Sequence, residues 1–563
     1  MISSPPESKF SFPTSPDSQG AYIDGRLLKR LVHAGLVWLN TNQQIINSLN
    51  VFPVPDGDTG TNMSLTMQAA FQEIAESDSS NAGLVAHSVA HGALMGARGN
   101  SGVILSQIWR GIARSLDSKS EIDPAAFARA WQEARDTAYK GVVRPVEGTI
   151  LTVASDIALE AERAHVEGCS LAEVMDRIVV AADRSVQRTP ELLPVLQEAG
   201  VVDAGGKGLF FFLEGMLRYL EGKPLDQPVD AVPPLSSLDL KRAGEFIEAG
   251  QDFEVVVDFS PTSPLDVPWF YRQLETMGTS IQVGQGDEFY RLHIHVPAEK
   301  RYDPIDLTIQ LGTVSKVAIE NLQEQTEGRM TKEPAGKIEF RKVQPGQIAA
   351  VAVTPGAGLT RVFASLGVSA VVPGGQSMNP STQEILSSFA DLPAEKIIIL
   401  PNNKNILLAA QQTSALTGKE IAIVPSGSIP QGIAAMLAFQ NDGDLKAVSS
   451  AMIQAVDGIE SGELTQATRT VEMNGIPVAE GQFIGLHNGD LVVTGKNLEE
   501  ALLNLLGKMK ADSRELITLY WGEDLSPSQA NQLADKVRVE YPAQQVEMYE
   551  GGQPHYFLIL SVE

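Results

Sequence analysis

Between residues 22 and 222, apolar positions recur every three to four residues. Leu28, Leu31, Val32, Gly35, Leu36 and Leu39 make one such stripe, and Leu171, Val174, Met175, Ile178, Val179 and Ala182 make another. That period puts each set on one face of a helix. Ala-rich helical stretches surround 85–93 and 125–138, with Gly-rich turns rather than strands between them. The spacing predicts an all-helical bundle whose loops handle ligands at one end. Four prolines in KPLDQPVDAVPPLSSL then predict a linker over 223–238. From Phe253 the pattern changes to alternation. FEVVVDFS, SIQVG and YRLHIHV read as strands, and 267–275 and 306–311 as helices. These predict a small α+β domain over 239–327, followed by a polar linker over 328–346. In 347–563 the runs 349–353, 370–372, 397–400 and 421–424 are short, β-branched and unalternating, as buried parallel strands are. Helical segments at 406–414 and 432–439 lie among them, so the region predicts an α/β domain with a parallel sheet and helices on both faces. Further strands are expected at 515–520, 545–549 and 556–561.

Composition sets limits on this picture. At about 150 residues per domain, 563 residues imply three or four domains. Hydrophobic content of 43% with 20% charged residues is that of folded protein. The 43 Lys and Arg stand against 69 Asp and Glu, a net charge of −26. That balance argues against nucleic acid as a partner and against docking on an anionic membrane. A single cysteine, Cys169, excludes an internal disulfide framework and a Cys-cluster zinc site, and reads as a packed thiol. No run of about 18 apolar residues exists to span a membrane. MISSPPESKFSFPTSPDSQG reads as a disordered tail over 1–20 without a signal-peptide core, so the cytoplasm is the expected location.

The chemistry concentrates in NVFPVPDGDTGTNM, residues 50–63. Asp56 and Asp58 flank a glycine, and two carboxylates this close repel unless a cation sits between them. Hard oxygens without His or Cys suit Mg²⁺. Gly57 and Gly60 allow close backbone approach, and the helix that restarts afterwards offers N–H groups to phosphate. A solvated Asp-Gly turn with a helix cap is the competing reading of the motif alone. Three further loops repeat the theme: GARGNSG at 96–102, PVEGTILT at 145–152 and VDAGGKG at 202–208. Arg98 reads equally well as a phosphate partner or a salt bridge. His87 and His91 read as a helix face, Trp38, Trp109 and Trp131 as core, and Asn402, Asn403 and Lys404 as a ligand or interface group at a strand end. His293 and His295 alternate on one strand and share a face, which suits a metal or the positioning of a carboxyl group.

Taken together, these residues resemble a known family. The helical region resembles the nucleotide domain of dihydroxyacetone kinases, and NVFPVPDGDTGTNM with ARGNSG is closer to the ATP-binding subunit of bacterial fatty acid kinase. GGQSMNPST at 374–382, ILPNNKN at 399–405, PQGIAAMLAF at 430–439 and YEGGQP at 549–554 extend the likeness along the chain. The resemblance implies an eight-helix barrel binding ATP with two Mg²⁺ in 21–222 and a DegV-like fold in 347–563. Asp56 and Asp58 would be metal ligands, with Asn50 near the place of a third family Asp. Thr59, Gly60, Thr61, Asn62, Asn100, Ser101 and Gly102 would contact phosphates. Thr149 and Ile150 would border adenine, and Asp203 and Gly205 would close the site. Some relatives complete a zinc site with a Cys beside the two histidines. Here Asp252 stands near that place, making Asp252, His293 and His295 the candidate zinc set, and His295 a candidate for the transfer step. The implied activity is phosphorylation of a fatty acid carboxylate, presented by a separate DegV-type fatty-acid-binding protein, to an acyl phosphate that feeds phospholipid synthesis. The implied assembly is a homodimer. A dihydroxyacetone-type small-molecule kinase and a non-enzymatic lipid-related scaffold are the alternatives.

Overall fold

The structure is a computed structural model and describes residues 22–50, 57–142, 144–225, 253–263, 265–285, 290–321, 338–376, 378–467, 470–473 and 475–563. The expected tail, Asp56 and Asp252 lie outside the described residues. The chain packs as two compact units, one from Met1–Asp226 with Glu339–Glu563 and one from Gln227–Ile338.

The N-terminal part of the first unit is helical: α1 (Gly25–Thr41), α2 (Gln43–Leu49), α3 (Thr59–Gln72), α4 (Ala82–Met95), α5 (Gly99–Ser115), α6 (Pro124–Lys140), α7 (Ile150–Val166), α8 (Leu171–Leu192), α9 (Pro194–Ala199) and α10 (Ala204–Leu220). A two-residue pair, β1 (Ile23–Asp24) against β2 (Glu121–Ile122), adds a short antiparallel bridge that helical periodicity does not signal. Caps fix where helices start. The Asp24 carboxylate accepts from the Leu27 N–H at 2.8 Å to begin α1, and Ser170 with Glu173 forms a capping box on α8. The predicted stripes face inward: Leu28, Leu31, Val32 and Leu39 are buried on α1, and Val174, Ile178 and Ala182 on α8. Glycine lets α1 and α10 approach closely. A Cβ on Gly215 would lie 2.5 Å from that of Trp38. Trp38 is core, as expected, and its indole N–H donates to Glu214 at 2.8 Å.

The second unit contains β3 (Phe253–Pro261), β4 (Thr279–Gln285), β5 (Tyr290–Val296) and β6 (Gly312–Asn321), with helices at Val267–Glu275 and Asp303–Leu311. The strands form one antiparallel sheet of order β4–β5–β3–β6. Val255, Val257, Phe259, Leu292 and Ile294 form its core with Phe270. Asp258 is buried and holds Arg291 bidentately, at 2.5 and 2.7 Å. His295 is fully buried on β5 and pairs in register with Glu254 and Thr279.

The C-terminal part of the first unit begins with β7 (Ile348–Thr354), β8 (Ala370–Pro373), β9 (Lys396–Leu400) and β10 (Glu420–Ile423). They make a parallel sheet of order β10–β9–β7–β8. Every residue of β7 is buried, which accounts for its unalternating apolar run. Of the later strands, β16 (Leu516–Trp521), β17 (Gln545–Glu550) and β18 (Leu558–Val562) match expectation. The expected strands do not include β11 (Glu460–Gln466), β14 (Phe483–His487) and β15 (Asp490–Gly495), nor the small antiparallel pair of β12 (Val471–Met473) with β13 (Ile476–Val478), although Asn488-Gly489, both at positive φ, marks a two-residue hairpin turn between β14 and β15. The other six form a second sheet, of order β15–β14–β11–β18–β16–β17. β11 reads ESGELTQ and lacks an apolar run because Gly462 leaves room for its neighbours; a Cβ there would meet Leu560 and Met509 at 2.7–2.8 Å. Among the described residues, no helix is long and apolar enough to cross a membrane.

Candidate functional site

Gly57 enters the first loop at φ +64°, a left-handed conformation that glycine adopts without strain. Asp58 follows as the N-cap residue of α3, yet its carboxylate makes no capping bond to that helix. It is buried, at 3% exposure, as is Asn50 at 4%. The capping work is done from α2 instead. Asn47 Oδ1 accepts from the Gly60 N–H at 2.7 Å and the Thr61 N–H at 3.2 Å. The Thr61 hydroxyl in turn accepts from Gln43 Nε2 at 2.7 Å and Asn47 Nδ2 at 3.1 Å. Sequence reasoning misses Gln43 and Asn47, because QQIINSLN offers nothing that separates them from neighbouring amides. Gly60 must be small: a Cβ would sit 2.5 Å from the Gln43 carbonyl oxygen. Thr59 and Asn62 are buried in the same first turn.

The second loop lies against the first. A Cβ on Gly99 would come within 2.6 Å of Asn62 Nδ2, and one on Gly102 within 2.3 Å of Thr66 Oγ1. Thr66 donates to the Asn62 carbonyl at 2.7 Å and accepts from the Arg98 N–H at 3.3 Å. One predicted phosphate contact, Asn100, and the neighbouring Arg98 meet the C-terminal region here. Asn100 Nδ2 donates to Asn405 Oδ1 at 3.1 Å. The Arg98 guanidinium donates to the Asn379 carbonyl at 2.9 Å and pairs with Glu384 at 3.0 Å. Burial alone would raise the Glu384 pKa; the Ser381 N–H and Arg98 outweigh it and hold that carboxyl below its ordinary value. Ser101 and Gly102 occupy the first turn of α5. Asn379 Nδ2 donates to Asp58 Oδ2, and nothing local in sequence announces this, since the two lie 321 positions apart.

The third and fourth loops form a second pair. Thr149 N-caps α7, and Gly148 turns before it at φ +81°. Asp203 N-caps α10, accepting from the Gly206 N–H at 2.6 Å. Burial pushes its carboxyl up to about 6, against the opposing pull of the Gly206 and Ile150 amides. A Cβ on Gly205 would lie 3.3 Å from that of Ile150. The two pairs are neighbours, because a Cβ on Gly208 of α10 would lie 2.5 Å from the Met63 sulfur of α3.

A hard divalent cation fits this donor set. The oxygens of Asp58 and Asn50 are buried, and the buried Asn379 Oδ1 beside Asp58 has no hydrogen-bond donor. Among the described residues, no three His, Cys, Asp or Glu side chains group as a metal site. His293 and His295 alternate on β5, and Asp252 lies outside the described residues. Other candidates have plain structural roles. His87 pairs with Asp117 and His91 with Glu73 on the surface. Asn402, at φ +55°, donates to the Val353 carbonyl and accepts from Ser426. Cys169 is half-buried, 3.5 Å from Arg177. At the carboxyl ends of β7, β8 and β9, a crevice of about 30 Å³ is lined by Gly374, Asn402, Glu463 and His555. Burial raises Glu463 to about 7 despite the Lys404 charge.

Three family models match successive parts of the chain: the DAK2 domain over 53–218, the FakA-like (fatty acid kinase) middle domain over 249–329, and the FakA-like C-terminal domain over 349–563. Protein YloV of Bacillus subtilis is 38% identical over 553 residues, covering 96% of this chain and 99% of its own. The chain belongs to the FakA-like family of fatty acid kinase proteins. Two solved structures match parts of this FakA-like chain. Dihydroxyacetone kinase from C. freundii, in complex with AMP-PNP and Mg²⁺, is 14% identical with a TM-score of 0.28, over 39% of this chain and 38% of its own. A fatty-acid-binding DegV family protein from Thermus thermophilus is 12% identical with a TM-score of 0.29, over 38% of this chain and 99% of its own. The four glycine-rich loops all fall within or beside the DAK2 match, and Asn379 falls within the FakA-like C-terminal match.

Proposed function

We propose that this chain is the ATP-binding subunit of a fatty acid kinase. It transfers the γ-phosphoryl group of ATP to the carboxylate of a fatty acid that a separate DegV-type protein presents, giving an acyl phosphate. The observation that carries the reading is the meeting of four loops at the adjoining N-terminal ends of α3, α5, α7 and α10, with the buried Asp58 carboxylate uncommitted to its own helix. A fatty acid carboxylate has a pKa of about 4 to 5 and is already a nucleophile at neutral pH, so no general base is required. One carboxylate oxygen bonds to the γ-phosphorus, the bond from that phosphorus to the bridging oxygen breaks, and ADP leaves with the electron pair. Asp56, Asp58 and Asn50 would hold two Mg²⁺ ions, whose chemistry is to neutralise the phosphate charge. The chain's own part is positioning. Asn47 and Gln43 fix the first turn of α3, Asn62 and Gly99 keep the second loop beside it, and Asp203 ties the fourth loop to the third. Thr149 and Ile150 border adenine in this reading, and the helical region takes the barrel form of the dihydroxyacetone kinases.

The middle unit would add a zinc site at Asp252, His293 and His295, read by elemental analysis of the purified protein. The assembly would be a homodimer working in the cytoplasm. The deciding experiment incubates the full chain with ATP, Mg²⁺ and acyl-loaded DegV-type proteins and traps acyl phosphate as the hydroxamate. Acyl hydroxamate is expected with at least one partner; its absence with every such partner, or phosphorylation of dihydroxyacetone instead, overturns the reading.

A further inference from the structure

The first two loops differ from the last two in how their helices begin. Thr149 and Asp203 cap α7 and α10 with their own side chains. Neither Asp58 nor Arg98, the N-cap residues of α3 and α5, makes a side-chain cap bond. Asn47 of α2 holds the start of α3 from outside. The start of α5 cannot use a capping box, since the residue three beyond Arg98 is Ser101 and not Glu or Gln. The Arg98 N–H is met instead by Thr66 of α3, whose Oγ1 accepts from it at 3.3 Å.

Thr66 is fully buried, two turns into α3. A hydroxyl has one proton and two lone pairs. The Thr66 proton goes to the Asn62 carbonyl at 2.7 Å, one turn back along the same helix. The Gly96 carbonyl, at 3.5 Å, is the more distant alternative. With the proton committed, a lone pair faces the Arg98 N–H. One oxygen thus joins the backbone of Asn62 to the backbone of Arg98. Glycines bring the two helices within its reach: a Cβ on Gly102 would lie 2.3 Å from Thr66 Oγ1, and Gly99, at φ +57°, has Asn62 where its own Cβ would be. All of these groups belong to the helical region.

We infer that Thr66 is a positioning residue of the kinase site: its hydroxyl sets the register of the second loop on the first, and so holds Asn100 and Ser101 at a fixed offset from Asn62. The inference rests on the kinase reading above, which gives those three residues to phosphate. Thr66 itself is buried behind the loops and acts through the two backbone groups it joins. An in-line transfer is sensitive to this offset, because a misplacement of about 1 Å can cost a hundredfold in rate.

The test uses the full chain with Thr66→Val, Thr66→Ala and Thr66→Ser. Val keeps the shape and loses the oxygen, Ala loses both, and Ser keeps the oxygen and loses a methyl group. Three things are measured: kcat and KM for ATP by the hydroxamate assay, the affinity for AMP-PNP with Mg²⁺ by calorimetry, and Tm. Thr66→Val and Thr66→Ala are both expected to lower kcat by about tenfold, the consequence of a displacement smaller than 1 Å. Their AMP-PNP affinity should stay within about threefold of wild type, because the loss falls on the transition state more than on the bound ground state. Thr66→Ser is expected to keep kcat within about twofold of wild type, since the oxygen remains, while its Tm falls because a buried methyl group is missing. Activity therefore sorts the variants by oxygen, whereas a packing role would sort them by volume, with Val nearest wild type and Ala furthest. Wild-type kcat in Thr66→Val, or a kcat loss in Thr66→Ser as large as in Thr66→Ala, overturns the inference while the kinase reading stands. Wild-type chain that binds no AMP-PNP overturns both.

Discussion

The N-terminal ends of α3 and α10 each carry a buried aspartate at the N-cap, and the two do opposite things. Asp203 spends its carboxylate locally: it accepts from Gly206 of its own helix and from Ile150 of the neighbouring one. The Asp58 side chain makes no cap to its helix, and only its backbone carbonyl accepts from the Asn62 N–H. Asn47 caps α3 in its place, and the Asp58 carboxylate is met by an amide from the far end of the chain. The first arrangement closes a loop. The second turns a carboxylate over to partners outside its own helix. Residue type and helix position are the same in both, so partner geometry, not sequence position, separates a structural aspartate from a candidate ligand.

Three substitutions can break that contrast, starting with the largest effect. Asp58→Ala is expected to lower acyl-phosphate formation by at least about a hundredfold, the scale for removing one preorganised electrostatic group, with circular dichroism close to wild type because its helix is capped by Asn47 and with stability lowered by about 1 to 3 kcal/mol because the buried Asn379 amide loses its acceptor. Activity within a few-fold of wild type would remove Asp58 from the metal site.

Asp203→Asn tests the other side. Folding raises this carboxyl from its ordinary 3.8 to about 6, because burial outweighs the two amides. The folded state therefore binds the proton more tightly than the unfolded chain. That favourable contribution is fully present below about pH 4 and is lost as pH rises through 6. The stake is on the order of 3 kcal/mol. An asparagine can still cap α10, so the variant is expected to gain stability relative to wild type from about pH 4 to pH 6 and keep the gain at neutral pH. Urea unfolding across that range reads it, and parallel curves for the two proteins would contradict the burial argument.

Asn47→Ala should cost less, about 1 to 2 kcal/mol, the worth of a side-chain cap. It sharpens the comparison because the orphaned Gly60 and Thr61 amides would loosen the start of α3, and so Asp58, while the start of α10 stays unaffected. Amide hydrogen exchange should quicken in the first turn of α3 and not in that of α10.

How much of this is legible in the sequence depends on how local the cause is. The helices α1 and α8 follow from stripes that bury one face, and β7 and β9 from apolar runs buried on both. The loops at Asp58, Asn100, Thr149 and Asp203 stand out because glycine beside polar residues leaves a mark whatever the fold. The strand β11 leaves none, whereas Asn488-Gly489 between apolar runs marks the hairpin of β14 and β15. Gly462 and Gly485 sit where neighbouring side chains fill the space, so their burial is visible only after the sheet forms. Arg98 is equally fit for phosphate or for a salt bridge by sequence, and its choice of Glu384 and the Asn379 carbonyl is made 281 or more residues away.

The sequence by itself determined the local elements, because helical periodicity, caps, glycine turns and buried strand runs act over a few residues. It also determined the family, through long motifs kept in order. The tertiary structure decided which polar groups face one another. Asn47 caps α3, Asn379 meets Asp58, and Gly208 brings α10 against Met63. The physical reason is that hydrogen-bond and close-packing partners are fixed by distances of about 3 Å in space, and separation along the chain carries no trace of those distances.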